Sequence, residues 1–260
     1  MARVTTEITD HIAHVTLTRG DKMNAVDPEM AEAIVAAGQA LMQADIRAVV
    51  LSGEGKSFCA GLDVMSFAQL AAGDPEGVVM PRSHGNTNLF QEVAMVWRKL
   101  PVPVIAALHG AVYGAGFQLA LGADMRIAAS DARLAVMEMK WGLIPDMGGM
   151  VLLPQLTRSD VIRQLTYSAE PITAEQGERW GLVTELSDDP LVRAQAIAAG
   201  IAARSPSAIR AAKRLIAVAE SGAGEDAVLL AESREQADLI GKPHQMEVIA
   251  ANMAKRAPVF

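Results

Sequence analysis

The first ordered pattern along the chain is an alternation. Within His11–Thr18, Ala13, Val15 and Leu17 share one face, as a half-buried strand requires, and Val4–Thr9 before it can pair with it as a hairpin. The period then lengthens. Asp27-Pro28 predicts a helix start, with Asp27 as cap and Pro28 at the first helical position, and Met30, Ala33, Ile34, Ala37 and Leu41 line one face. Arg47–Leu51 reads as a buried strand and 52–61 as the loop after it. Asp63 can cap a short helix over 64–72, and the polar stretch 73–88, with its Gly and Pro, predicts a flexible loop. A helix through Leu89, Val93, Val96 and Leu100 follows, then a strand over 101–108. His109–Gly116 reads as a tight turn into a helix over 115–122, with short strands over 124–129 and 133–137 behind it.

Strand, loop and helix thus recur to about residue 145, and beyond 147 the pattern is nearly all helical. Thr173 and Gln176 have capping-box spacing, and Pro206 opens a helix that runs to Glu220. This pattern predicts an α/β core followed by a helical appendage, without repeats or a low-complexity linker.

Bulk properties narrow the function classes. The 260 residues can bury a sizeable core, as one large domain or a core with a smaller appendage. A net charge of −7 excludes a chain-wide basic field for nucleic acid, so an anionic ligand needs local cations or backbone N–H groups. The single cysteine, Cys59, allows no disulfide within one chain, and a reducing cytoplasm is the expected location. No apolar run reaches the ~18 residues a membrane span needs. The opening residues lack an apolar signal segment, so no membrane insertion or export is expected.

Several familiar motifs fail. The GEGKS segment lacks the earlier glycine of a phosphate-binding loop, since that position is Val50. Cys59 stands where a nucleophile elbow needs its second glycine, and Leu119 where a dinucleotide fingerprint needs its third. The five histidines have no metal-ligand spacing; His84, in its polar loop, is the one to follow. Cys59 has no histidine placed to activate it and reads as a small apolar filler.

Four segments remain: Arg19-Gly-Asp-Lys-Met23-Asn-Ala25; Ser57-Phe-Cys59-Ala60-Gly61-Leu62-Asp63; His109 through Leu119 with Ala123–Ile127; and Glu138 through Gly149. In order and spacing they resemble the crotonase superfamily, which includes enoyl-CoA hydratases and isomerases, and the resemblance spans roughly the whole chain. It implies a crotonase-like ββα spiral core over residues 1–195. Residues 196–260 would form a helical region for oligomerisation and active-site cover. It implies an acyl-CoA thioester substrate, fatty-acid β-oxidation as a setting, no cofactor besides the coenzyme A of the substrate, no metal, and a homotrimer or a hexamer of paired trimers.

A thioester carbonyl that becomes an enolate concentrates charge on one oxygen, and preorganised N–H donors stabilise it. The Gly114-Ala115-Gly116 turn can present an N–H at a helix start, where the dipole adds positive potential. The Ala60-Gly61 turn can supply a second. By resemblance the donors are the N–H groups of Ala60 and Ala115, although the family usually has glycine at position 115. Met23, Ala25, Cys59, Gly61, Leu62, Asp63, Val64, Tyr113, Gly116 and Gln118 would border the acyl-CoA. Asp63 also keeps its reading as a helix cap. Arg19 and Lys22 either meet coenzyme A phosphates or are surface charges.

A reaction beside a thioester needs a base, and often an acid to return the proton. By resemblance, hydratases use two glutamates. Here the second position is Glu138 and the first is Gln118, which cannot exchange a proton at neutral pH. The dienoyl-CoA isomerase branch also has carboxylates at the positions of Glu138 and Asp146, though it usually carries a third acid at 118. The resemblance therefore favours a carboxylate-mediated proton shift over hydration. Other readings stay open: Asp146 as a helix cap, Glu138 as a solvated strand-end charge, and Gln118 as an amide that orients water or substrate or is satisfied in the core. A non-catalytic acyl-CoA-binding protein is the alternative from another class. Against it, a pure binder gains nothing from a buried carboxylate.

Overall fold

A computed structural model describes residues 2–65 and 73–260. The expected helix over 64–72 begins at Val64 and Met65, and its remainder lies outside the described residues. Six strands form the larger sheet in the order β1-β2-β3-β4-β6-β9. They are β1 (Val4–Thr9), β2 (Ile12–Leu17), β3 (Ala48–Gly53), β4 (Val104–Leu108), β6 (Met125–Ala128) and β9 (Glu185–Leu186). The hairpin β1–β2 is antiparallel, as its alternation requires, and every other pair in the sheet is parallel. A smaller sheet joins β5 (Ala111–Tyr113), β7 (Arg133–Ala135) and β8 (Ile172–Thr173) in that order.

The apolar runs of β3 and β4 follow from burial on both faces. Val49, Leu51, Val104, Ala106 and Leu108 point into the main core, with Ile34, Trp97 and Phe117. Their neighbours Ala48, Val50, Ile105 and Ala107 point the other way, onto Ala194, Ala198 and Ala202 of a helix spanning Pro190–Ala202. The expected boundary at 195/196 falls inside that helix. Beyond it, three helices (Pro206–Glu220, Glu225–Ala237 and Pro243–Met253) bury little besides Ala211 and Ala251.

Several local expectations need correction. The stretch 73–88 contains a short helix, Pro75–Val79, capped by Asp74. The strand expected from residue 101 begins at Val104, after Pro101 and Pro103, residues poorly suited to a central strand. The turn 109–116 contains β5. Thr173 caps its helix through the Gln176 N–H at 3.2 Å, but the Gln176 side chain bonds Arg179, so the box is half formed. A complete capping box occurs instead at Asn88 and Gln91.

Helix α1 (Pro28–Leu41) packs into the main core, and three further elements build the site: α2 (Ala115–Leu121), a 3₁₀ turn over Glu138–Trp141, and α3 (Gly149–Leu156). No helix among the described residues is long and apolar enough to cross a membrane.

Candidate active site

Segment 57–63 runs between two neighbouring stretches of chain and alternates its bonds between them. On one side Cys59 bridges Val112 in parallel: the Cys59 N–H donates to the Ala111 carbonyl at 3.1 Å, and Tyr113 N–H to the Cys59 carbonyl at 3.0 Å. On the other, Leu62 bridges Val26, with Val26 N–H donating to the Gly61 carbonyl at 2.8 Å and Asp63 N–H to the Val26 carbonyl at 2.9 Å. In a parallel bridge of this kind, the bonds on the Leu62 side come from Gly61 and Asp63, so the Leu62 N–H points away from Val26. It meets no acceptor among the described residues.

This overturns one assignment. The Ala60 N–H donates to the Met23 carbonyl at 2.9 Å and is not available to a ligand. The strand pattern leaves Leu62 free in its place. Gly61, with φ +103°, passes so close to the following strand that a Cβ would lie 3.0 Å from the Tyr113 oxygen and 3.9 Å from the Ala115 nitrogen. The turn at 61–62 therefore lies against the start of α2.

Gly114 caps α2 with φ 48° and ψ −116°, a conformation that suits glycine. Ala115, the first helical residue, has no left-handed φ, so alanine is accommodated where the family usually has glycine. Its N–H is one of the orphan donors of a helix start and meets no acceptor among the described residues. Leu62 and Ala115, each with an N–H that has no acceptor among the described residues, both line one pocket of about 120 Å³, which Ala60, Gly61, Val64, Glu138, Lys140 and Trp141 also line.

Glu138 is buried, which excludes the solvated strand-end reading. Its Oε1 accepts the Gln118 Nε2–H at 2.7 Å, and its Oε2 is buried without a partner. Burial, and secondarily the nearby Asp146 charge, raise its pKa against the opposing hydrogen bonds from backbone and Gln118. Gln118 is almost wholly buried, and its Oε1 accepts the N–H groups of Met147 and Gly149, each at 2.9 Å. Both lone pairs of that oxygen are spent, so it has no site left to orient a water as acceptor. Asp146 lies at the surface outside the pocket lining, yet surrounding protein raises its pKa. The helix cap is Gly148, which makes no side-chain bond, so Asp146 is not the cap of α3.

The other candidates separate. Val64, Gly61 and Leu62 line the pocket, whereas Met23, Ala25, Cys59, Asp63, Tyr113 and Gly116 lie outside its lining. The Cys59 Sγ donates to the Asn24 carbonyl at 3.1 Å, burial pushes the thiol up to about 12, and Gly116 packs against this side chain. Asp63 accepts the Met65 N–H at 3.1 Å, the local capping bond, and pairs with Arg19 at 2.9 Å. Burial raises the Asp63 pKa, but that N–H and Arg19 outweigh it and leave it lowered. Arg19 also bonds Asp27 and the Ala25 carbonyl, so it braces the turn rather than offering itself to a phosphate. Lys22 is exposed. His84 bonds Ser83 Oγ at 2.9 Å and lies outside the pocket. Gly114, named with its turn from sequence, lines the pocket as well; Met137, Lys140 and Trp141 also line it without a role assigned from sequence, although Lys140 and Trp141 lie within the Glu138–Gly149 segment.

A family model described as Enoyl-CoA hydratase/isomerase matches residues 7–260. The chain belongs to that family, and it is an enzyme of the hydratase and isomerase class. Among similar proteins is the mitochondrial Delta(3,5)-Delta(2,4)-dienoyl-CoA isomerase of Mus musculus. It is 33% identical over 78% of this chain, and the match spans only 64% of the length of that relative. The 1,2-epoxyphenylacetyl-CoA isomerase of Escherichia coli (strain K12) is 31% identical over 95% of this chain and 93% of its own. In structure the chain is similar to an enoyl-CoA hydratase from Polaromonas sp. JS666. That pair has a TM-score of 0.87 and 30% identity, covering 98% of each chain.

Proposed function

We propose that the protein isomerises an enoyl-CoA or dienoyl-CoA by moving a proton between carbons conjugated to the thioester. The N–H groups of Leu62 and Ala115 would hold the thioester oxygen as it gains charge. For a 3-enoyl-CoA, Glu138 Oε2 takes the proton from carbon 2, and the C–H electron pair passes into the thioester to form a dienolate. Protonation at carbon 4 then leaves the 2-enoyl product. Asp146, whose charge acts on Glu138, supplies that proton and is reprotonated from solvent at its surface position, while Glu138 gives the proton it took up to solvent through the pocket before the next turnover. The raised pKa of each carboxyl brings proton transfer nearer to neutral pH.

One observation carries the preference for isomerisation over water addition. Glu138 is the one carboxylate lining the pocket among the described residues, and its neighbour Gln118 has its oxygen saturated by backbone N–H groups. A second base to activate water is missing from that position. The relatives named as isomerases support this reading, and the likeness to a hydratase makes water addition the competing outcome. The exposed Ile216, Leu230 and Ile249 on the last helices, with Ile240 in the turn between two of them, suit contacts between copies in a trimer or hexamer.

The test is turnover of 2-enoyl-, 3-enoyl- and 3,5-dienoyl-CoA, followed by thioester absorbance. Conversion of the 3-enoyl or dienoyl substrate without hydration of the 2-enoyl form is expected. Rapid hydration of 2-enoyl-CoA would overturn the reading.

A further inference from the structure

The amide of Gln118 is a three-point clamp, and its function is not explained by packing alone. We infer that Gln118 is a positioning residue: it immobilises Glu138 by one oxygen and so reserves the other, Oε2, as the atom that exchanges the proton. This rests on the reading of Glu138 as the base.

The geometry allows only one orientation of the amide. Met147 and Gly149 N–H groups both point at one terminal atom of the side chain, which must therefore be the oxygen. The nitrogen then faces Glu138 and can only donate, 2.7 Å from Oε1. The carboxylate is held with Oε1 engaged and Oε2 bare. The clamp also joins three parts of the site. Gln118 sits on α2, whose first N–H is that of Ala115; Glu138 lies on the 3₁₀ turn; Met147 and Gly149 lie just beyond Asp146. A Cβ at Gly149 would come within 2.8 Å of the Gln118 oxygen, so the backbone is closely fitted to the amide. Base, oxyanion donor and the Asp146 loop are thus referred to one side chain.

The charged groups around Glu138 set how the clamp acts on proton affinity. Asp146 from the following loop disfavours its ionisation, and Lys140 of its own turn lines the same pocket; α2 contributes the neutral Gln118, and the 60–64 segment contributes no charged group to the lining. The Gln118 donor therefore favours the carboxylate form.

The experiment compares Gln118→Met and Gln118→Glu in the intact protein. Thermal melting monitors the fold, and readouts are turnover on the enoyl-CoA panel and α-proton exchange of butyryl-CoA in D₂O. Gln118→Met removes the donor at similar volume. Expected are a loss of kcat of about tenfold or more with little change in KM, and an acid limb of the pH profile displaced to higher pH. Gln118→Glu keeps the acceptor for Met147 and Gly149 but turns an acceptor toward Glu138, so a proton must be shared; the same displacement is expected, which guards against misfolding of the first variant. In a Glu138→Gln background, Gln118→Met should have no further effect on the residual rate, because its action passes through Glu138. Loss of activity in Glu138→Gln with unchanged kcat and pH profile in both Gln118 variants would overturn the clamp alone. Full activity in Glu138→Gln would overturn the base assignment and the clamp with it.

Discussion

Gly114 lies so close to Glu138 that a Cβ on the glycine would stand 3.3 Å from Oε1. The backbone turn that exposes the Ala115 N–H therefore also makes room for the carboxylate. Gly114→Ala places a side chain where φ is 48° and crowds the base. The expected cost is about 1–3 kcal/mol of stability, together with a kcat loss larger than any change in KM. Denaturant unfolding and steady-state kinetics measure the two; wild-type kinetics in the variant would contradict the arrangement.

Glu138 is expected to trade stability for activity. Its folded-state pKa is raised, mainly by burial, so its ionisation opposes folding. Below the ordinary glutamate range both states bind the proton and nothing is lost. As pH rises through the raised folded pKa the penalty appears in full. Glu138→Gln, which keeps an oxygen for the Gln118 donor, should therefore melt higher than wild type near pH 8. The gain should vanish toward pH 4, and catalysis should be absent throughout. Melting curves across that range decide it, and a variant less stable at pH 8 would contradict the sign.

Arg19 ties Asp63 and Asp27 to the turn that holds Met23 and Ala25, and it is mostly buried there. Arg19→Met leaves Asp27 with Arg3 but strips Asp63 of its partner. A loss of roughly 1–3 kcal/mol is expected on unfolding in urea, accompanied by weaker acyl-CoA binding through the displaced 61–64 backbone. Unchanged stability with a lost affinity would instead mark Arg19 as a direct phosphate contact.

Ala115 offers a test of the donor itself. Proline is tolerated at the first position of a helix, where its missing N–H costs no helical bond. Ala115→Pro should keep the fold while lowering kcat about 10²–10³-fold. Circular dichroism and kinetics check the pair of outcomes, and near-normal turnover would remove this N–H from the mechanism.

The layered sheet was legible from the chain because β3 and β4 are apolar on both faces and β2 on alternate positions. The turn at Gly114 and the carboxylate of Glu138 were legible as well. The availability of a given N–H was not. Ala60 and Leu62 are two residues apart in one short segment, and only the partners Met23 and Val26, brought in by tertiary packing, decide which amide is used up. A satisfied core amide was one reading of Gln118 and fits its burial, but its partners were hidden for the same reason, since its oxygen is claimed by backbone atoms about thirty residues away. Strands β8 and β9 are two residues each, too short for any period to register.

The central claim is that Glu138 and the Leu62 and Ala115 N–H groups together generate a thioester enolate. The most direct measurement is α-proton exchange of a saturated acyl-CoA, butyryl-CoA, in D₂O by NMR, because it requires the base and the oxyanion site and no particular product. The wild-type protein should wash deuterium into carbon 2, and Glu138→Gln should not. Binding of butyryl-CoA without any exchange by the wild type would contradict the account.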